Sequence, residues 1–161
     1  MQNEQVKLNQ ASWLRMLERC EESKLRTLGW KDYRCEIEIL KYGIEQGFDR
    51  YFLASTSADT LVFATIGYPE RNFSPRIHID VAPDDQITLC YIHAITRRFK
   101  DHGLEYKLNL ADALPTFRRF LNHVWTLTQN EPMPYELRRP GFYAPVLSNG
   151  EKFKVLPTFR D

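Results

Sequence analysis

Arg76-Ile77-His78-Ile79-Asp80-Val81, followed by Ala82-Pro83-Asp84-Asp85-Gln86, by Ile87-Thr88-Leu89-Cys90-Tyr91-Ile92-His93 and, ten residues on, by Gly103-Leu104-Glu105-Tyr106-Lys107-Leu108, is the stretch on which the fold turns. Its first six residues alternate strictly: Ile77, Ile79 and Val81 fall on one face of a strand, and Arg76, His78 and Asp80 on the other. Pro83-Asp84-Asp85 supplies a turn, and a second strand begins near Ile87. Residues 94 to 110 admit a short crossover helix or the tip of a long hairpin. Phe99 is the one large apolar side chain between Arg97 and Gly103, too little to anchor a helix, whereas Asp101-His102-Gly103 suits a turn with glycine at a left-handed position. The hairpin is therefore the expectation, with Leu104, Tyr106, Leu108 and Leu110 alternating along its return strand.

Upstream, Trp13, Met16, Leu17, Cys20 and Leu25 recur at helical spacing, predicting an amphipathic helix from Asn9 to about Thr27 with Asn9 or Ser12 as N-cap. From Tyr33 the period changes to two. Cys35, Ile37 and Ile39 alternate with Glu36, Glu38 and Leu40, which predicts a strand carrying both glutamates on its outward side. Arg50–Ser55 and Thr60–Tyr68 read as two strands joined through Ser57-Ala58-Asp59, and Pro69 to Pro75 as a loop. Downstream, Asp112 can cap a helix that tolerates Pro115 in its first turn and keeps Leu114, Phe117, Leu121 and Val124 on one face to about Gln129. Five of the nine prolines follow Glu131, so residues 131–161 are expected to be extended and loop-rich, with a short strand near Lys152–Leu156. The expected fold is α+β: one domain over residues 1–161, with an antiparallel sheet of five to six strands between an N-terminal and a C-terminal helix.

The bulk composition narrows the function classes. A chain of 161 residues with 3 Trp, 8 Tyr and 10 Phe has ample bulk for a core, and 43% hydrophobic residues place it with folded rather than disordered chains. No uncharged run is longer than that from Gln86 to Thr96, well under the ~20 apolar residues of a membrane-spanning helix. Met1-Gln-Asn-Glu-Gln-Val-Lys7 has no apolar core of the signal-peptide kind, and Cys20, Cys35 and Cys90 are odd in number and widely spaced. Both features lead to an expectation of a cytoplasmic protein with reduced thiols. Net charge is +1, which gives no global field for a phosphate backbone, but residues 35–114 carry 12 acidic and 8 basic groups, while both flanks are basic.

Several residues carry chemistry. Pro83-Asp84, then Glu105-x-Lys107, resembles the PD-(D/E)xK nuclease superfamily, and the resemblance, about 25 residues long, implies a Mg²⁺ site on Asp84 and Glu105 with Lys107 positioning water. A hairpin turning near Asp101 opposes that reading, because at ~3.3 Å per residue it holds the two carboxylates more than ~40 Å apart. His78 and Asp80 stand about 7 Å apart on one strand face. A turn centred between Asp84 and Asp85 would set Tyr91 opposite His78 and His93 beside Arg76, making one polar cluster of Arg76, His78, Asp80, Tyr91 and His93. Cys90-x-x-His93 with His102 offers zinc-ligand types, but positions 90 and 93 of one strand point to opposite faces, so no metal is expected there. No glycine-rich phosphate loop or dinucleotide fingerprint is present, and no cofactor is expected. Arg97-Arg98, Arg118-Arg119 and Arg138-Arg139 are the residues a nucleic acid would use.

The leading functional expectation is a protein-binding or inhibitory module, such as a bacterial immunity or antidefence protein that blocks a basic enzyme or toxin. It would act through an acidic, tyrosine-containing sheet face made of Glu36, Glu38, Arg76, His78, Asp80, Tyr91 and His93. The alternatives are a small metal-dependent nuclease or phosphoesterase and a nucleic-acid-binding module.

Overall fold

In the computed structural model, which describes residues 3–26, 32–95 and 100–138, the alternating stretch at Arg76 lies at the centre of a five-stranded antiparallel meander. Helices α1 (Asn3–Arg26) and α2 (Arg34–Gln46) precede strands β1 (Leu53–Ser57), β2 (Thr60–Ala64), β3 (Arg76–Val81), β4 (Ile87–Ile95) and β5 (Lys100–Leu108). Helix α3 (Leu110–Gln129) and the single turn α4 (Tyr135–Arg138) follow, and short 3-10 turns lie at Phe48–Arg50 and Glu70–Phe73. The α+β class, the antiparallel sheet and the flanking helices are as the sequence predicts. Residues 139–161, with the strand expected at Lys152–Leu156, lie outside the described residues.

One layer of helices packs on one face of the sheet. Trp13 of α1 meets Phe63 of β2 with ring centroids 4.8 Å apart, and Phe63 meets Phe117 of α3 at 4.8 Å. Ile77, Ile79, Leu89, Tyr91, Tyr106 and Leu108 complete the layer beneath α3. Each such side chain, fully buried, contributes about 1.5–3 kcal/mol of transfer free energy. The polar residues Asn9 and Ser12, expected to cap α1, instead lie inside it, because the helix starts six residues earlier, at Asn3. There they bind the chain entering β1: Asn9 Nδ2 donates to the Arg50 carbonyl at 2.8 Å, and Ser12 Oγ accepts from the Ala54 N–H at 2.9 Å.

The predicted strand at Tyr33–Leu40 is helical in the structure. Alternation over six residues is too short a window: taken on to Gln46, the buried positions Cys35, Ile37, Ile39, Leu40 and Gly43 fit the 3.6 period of α2. Gly43 lies against the Trp13 ring, where a side chain would clash, so α2 can dock closely on α1. Gly47, at φ 91°, closes the helix with its N–H on the Gly43 and Ile44 carbonyls. At the other end of the fold Asn109 caps α3 in place of the predicted Asp112, accepting from the Asp112 N–H at 2.9 Å.

The long hairpin is present, but it does not turn at Asp101–Gly103. Ile95 pairs with Lys100, Ala94 with Asp101 and Ile92 with His102, so these residues belong to the ladder and the connection falls within residues 96–99, outside the described residues. Tyr91 pairs with Leu104, which leaves Gly103 unpaired on β5 and His93 unpaired on β4. Gly103 is the glycine of a bulge rather than of a turn.

Candidate functional site

The face of the sheet turned away from the helices has a regular layout set by the register. Ser55 pairs with Val62, Val62 with His78, His78 with Cys90 and Cys90 with Glu105, forming a middle row across all five strands. One row toward the β1–β2 and β3–β4 turns come Ser57, Thr60, Asp80, Thr88 and Lys107, and one row the other way Leu53, Ala64, Arg76 and Ile92. Asp80, Glu105 and Lys107 are exposed, His78 and Thr88 half-buried. Val62, Ala64, Cys90 and Ile92 are buried although they lie on this side, outside the main core cluster.

This layout divides the expected polar cluster. Arg76, His78 and Asp80 do share the outer face, but Tyr91 pairs with Ile77 and lies in the core, with its ring 4.9 Å from His123 and 6.1 Å from Phe120. The cause is one residue of register. The β3–β4 connection is a five-residue loop, Ala82–Gln86, closed by the Ala82 N–H on the Gln86 carbonyl at 2.9 Å with Asp85 left-handed at φ 66°. An odd loop sets His78 opposite Cys90, not Tyr91. The backbone of His93 sits at the bulge in β4.

Glu36 and Glu38 leave the face altogether. Both belong to α2, two residues apart and so on different sides of the helix; Glu36 is buried beside Met16, Cys20 and Leu61, while Glu38 is exposed. Asp84 and Glu105 also remain separate. Glu105 pairs with Cys90, three residues or about 10 Å at ~3.3 Å per residue along β4 from its start at Ile87, and Asp84 lies beyond that start in the Ala82–Gln86 loop. The interval is shorter than a turn at Asp101 would give, yet still too long for two carboxylates to share one ion. Lys107, nearer the turn end of β5, borders the same groove as Asp84. Among the described residues no group of three or more His, Cys, Asp or Glu side chains is placed to hold a metal. Cys90 Sγ lies 3.4 Å from Glu105 Oε1.

Two charged regions form instead. At the turn end, the β1–β2 hairpin presents Asp59 and the β3–β4 hairpin presents Asp80, Asp84 and Asp85. Thr60 Oγ1 donates to Asp80, Asp84 Oδ1 accepts from the Gln86 N–H at 3.1 Å, and Arg34 pairs with Asp85. Asp85 holds the exposed Arg34 guanidinium above its ordinary pKa. Burial, reinforced by the negative charge of Asp85, pushes the Cys35 thiol up from 9.0 to about 11.

At the opposite end the outer face is basic and half covered by the Glu70–Phe73 turn. Arg76 is 1% exposed and donates through Nη1 to the carbonyls of Arg71, Asn72 and Ser74 at 3.1–3.2 Å, and through Nε to His78 Nε2 at 3.0 Å. Arg71, 8% exposed, donates to Ser55 Oγ and stacks 5.6 Å from the Tyr68 ring centroid. Burial, with the neighbouring charge of Arg71, lowers the Arg76 pKa. Arg71 has no sequence signal of its own, because its partners lie on β1, fifteen or more positions away.

Among the arginine pairs, Arg118 is fully buried: it donates to Gln46 Oε1 at 2.7 Å and to the Glu136 carbonyl, with its guanidinium over the Phe48 ring. It fastens α3 to α2 and α4 and offers nothing to a phosphate backbone. Arg97, Arg98 and Arg139 lie outside the described residues. Among the described residues no helix is long and apolar enough to cross a membrane. Comparison of the chain with protein-family models, with curated proteins and with solved structures finds no match in any of the three.

Proposed function

We propose that this chain is a protein-binding module that engages a basic surface on its partner through the turn end and outer face of its sheet. In its finer form the reading is an inhibitory protein, of the kind that bacterial immunity or antidefence proteins represent, blocking a basic enzyme. The supporting observation is the convergence of Asp59, Asp80, Asp84 and Asp85 from two adjacent hairpins onto one end of the sheet, beside exposed Glu105. The core helices α1 and α3 pack on the opposite side of the sheet, and Asp80, Asp84, Glu105 and Lys107 at this end are exposed. The acidic surface is thus not the one built on Glu36 and Glu38. Fixed carboxylates at the rim of an interface raise the association rate and exclude like-charged partners.

The test is charge reversal at two exposed aspartates, with folding of each variant checked by circular dichroism. Asp80→Lys with Asp84→Lys should slow association with a basic partner protein by about tenfold or more at low salt, with a smaller effect at high salt. Glu38→Lys, on the exposed side of α2, is the control. Equal association rates for all three proteins, measured by surface plasmon resonance, would remove the acidic end from the interface.

A further inference from the structure

We propose that Arg71 and Arg76 form a binding site for a phosphate-class dianion on the outer face of the sheet, at the end opposite the aspartates. Both side chains are more than nine-tenths buried, and each keeps an N–H without an acceptor: Nε of Arg71 and Nη2 of Arg76. Among the described residues no carboxylate pairs with either arginine. A guanidinium removed from water is ordinarily compensated by an opposite charge or a full set of acceptors. Here two lie close enough for the charge of one to disfavour protonation of the other, and the acceptors supplied are neutral.

The protein's own contacts explain the position of each guanidinium and leave its charge unanswered. Three carbonyls of the 71–74 turn hold Nη1 of Arg76, and His78 holds its Nε, so Nη2 is directed by a frame that does not use it. Ser55 Oγ and the Thr56 carbonyl do the same for Arg71 and leave Nε. Two positive charges with spare in-plane donors match a phosphate group, which carries about −1.5 to −2 charge at neutral pH and accepts on three oxygens. A carboxylate would neutralise only one of them. Half-buried Ser55 and His78 in the middle row and half-buried Asn72 give the ligand further hydrogen-bonding groups as it approaches over the face. The site lies at the end of this face opposite the aspartates, two rows of the sheet from Asp80.

The experiment is a titration of the whole chain with inorganic phosphate, followed through the arginine Nε–H resonances at constant ionic strength maintained with chloride. The expected result is saturable shifts of the Arg71 and Arg76 signals. Arg71→Lys, which keeps the charge and removes the Nε–H donor, should weaken binding at least tenfold, and Lys107→Met should leave it unchanged. O-phosphoserine run in parallel distinguishes a phosphomonoester from free phosphate, and tighter binding of either supports the site. Shifts that drift without saturating, shifts shared by the exposed arginines, or wild-type affinity in Arg71→Lys would overturn the proposal. Acetate binding as tightly as phosphate would overturn the assignment to a dianion. Should Arg71→Lys fail to fold, the wild-type titration alone decides.

Discussion

Gly43→Ala is expected to destabilise the protein although alanine is the better helix former. In isolation the change would favour α2 by about 1 kcal/mol. The new Cβ, however, would stand 2.2 Å and 2.5 Å from two carbons of the Trp13 six-membered ring, where ordinary contact begins near 3.4 Å. Either the ring or the helix must move by more than an ångström. The ring is poorly placed to yield: it is 0% exposed, its indole N–H donates to the Phe52 carbonyl at 2.8 Å, and Phe63 and Phe117 lie 4.8 Å and 6.4 Å from it. Overpacking of this kind costs about 1–3 kcal/mol, and leaving the Phe52 carbonyl without its donor about 1–3 more. Against the propensity gain, the net loss comes to about 1–5 kcal/mol, which lowers the Tm of a chain this size by about 2–20 °C. Urea denaturation followed by circular dichroism measures it. The double variant Trp13→Phe/Gly43→Ala should lose less than the two single losses together, because phenylalanine vacates the space the methyl enters. A Gly43→Ala protein as stable as the parent would refute the close docking of α2 on α1.

Three further outcomes follow from the same geometry. Asn109→Ala removes the acceptor of the Asp112 N–H and should cost about 1 kcal/mol, or about 2–4 °C in Tm, with Asn109→Asp retaining the cap. Cys35 is held neutral by burial and by Asp85, its thiol raised from 9.0 to about 11, so its contribution to stability is complete below pH 9 and lost as pH rises toward 11. The unfolding midpoint of the parent should therefore fall more steeply than that of Cys35→Ala across this window, and Cys35 should react slowly with a thiol reagent at pH 8. Arg118→Met should unfasten α4 from α3 by removing the donors to Gln46 and Glu136, read as faster amide exchange at Leu137 and Arg138 with the sheet ladder unchanged.

What the chain reveals to a reader without coordinates depends on how local the cause is. Arg76–Val81 was legible to the residue because strict alternation is bounded by Pro75 and Pro83, so both pattern and ends are marked. The faces of α1 and α3 were legible for the same reason, through Trp13, Met16 and Cys20 and through Phe117, Leu121 and Val124. Helix α2 was not, since its first six residues satisfy both periods and the deciding contact, Trp13 on Gly43, joins positions thirty apart. The polar face was legible in composition but not in membership. A single residue in the Ala82–Gln86 loop decides whether Tyr91 meets solvent or the core, and the loop's length follows from Asp85 taking a left-handed conformation that aspartate adopts often but not obligatorily. Arg71 escaped notice because its site exists only once the 70–73 turn folds back over β1.

The two most deeply buried arginines show why burial alone does not mark a ligand site. Arg118 joins three elements: its donors meet a side-chain oxygen from α2 and a carbonyl of α4, and its cationic face rests on Phe48, so its position is explained by what it holds together. Arg76 reaches no helix. It holds one local turn through a single nitrogen, stands near a second buried arginine, and keeps a donor for which the described residues supply no acceptor. A hydrophobic residue could serve a purely structural role at such a position at lower cost, since burying an unpaired charge is far more expensive than burying an alkyl chain. Two charges retained together under those conditions are better explained by an anion that both of them meet than by the loop that one of them holds.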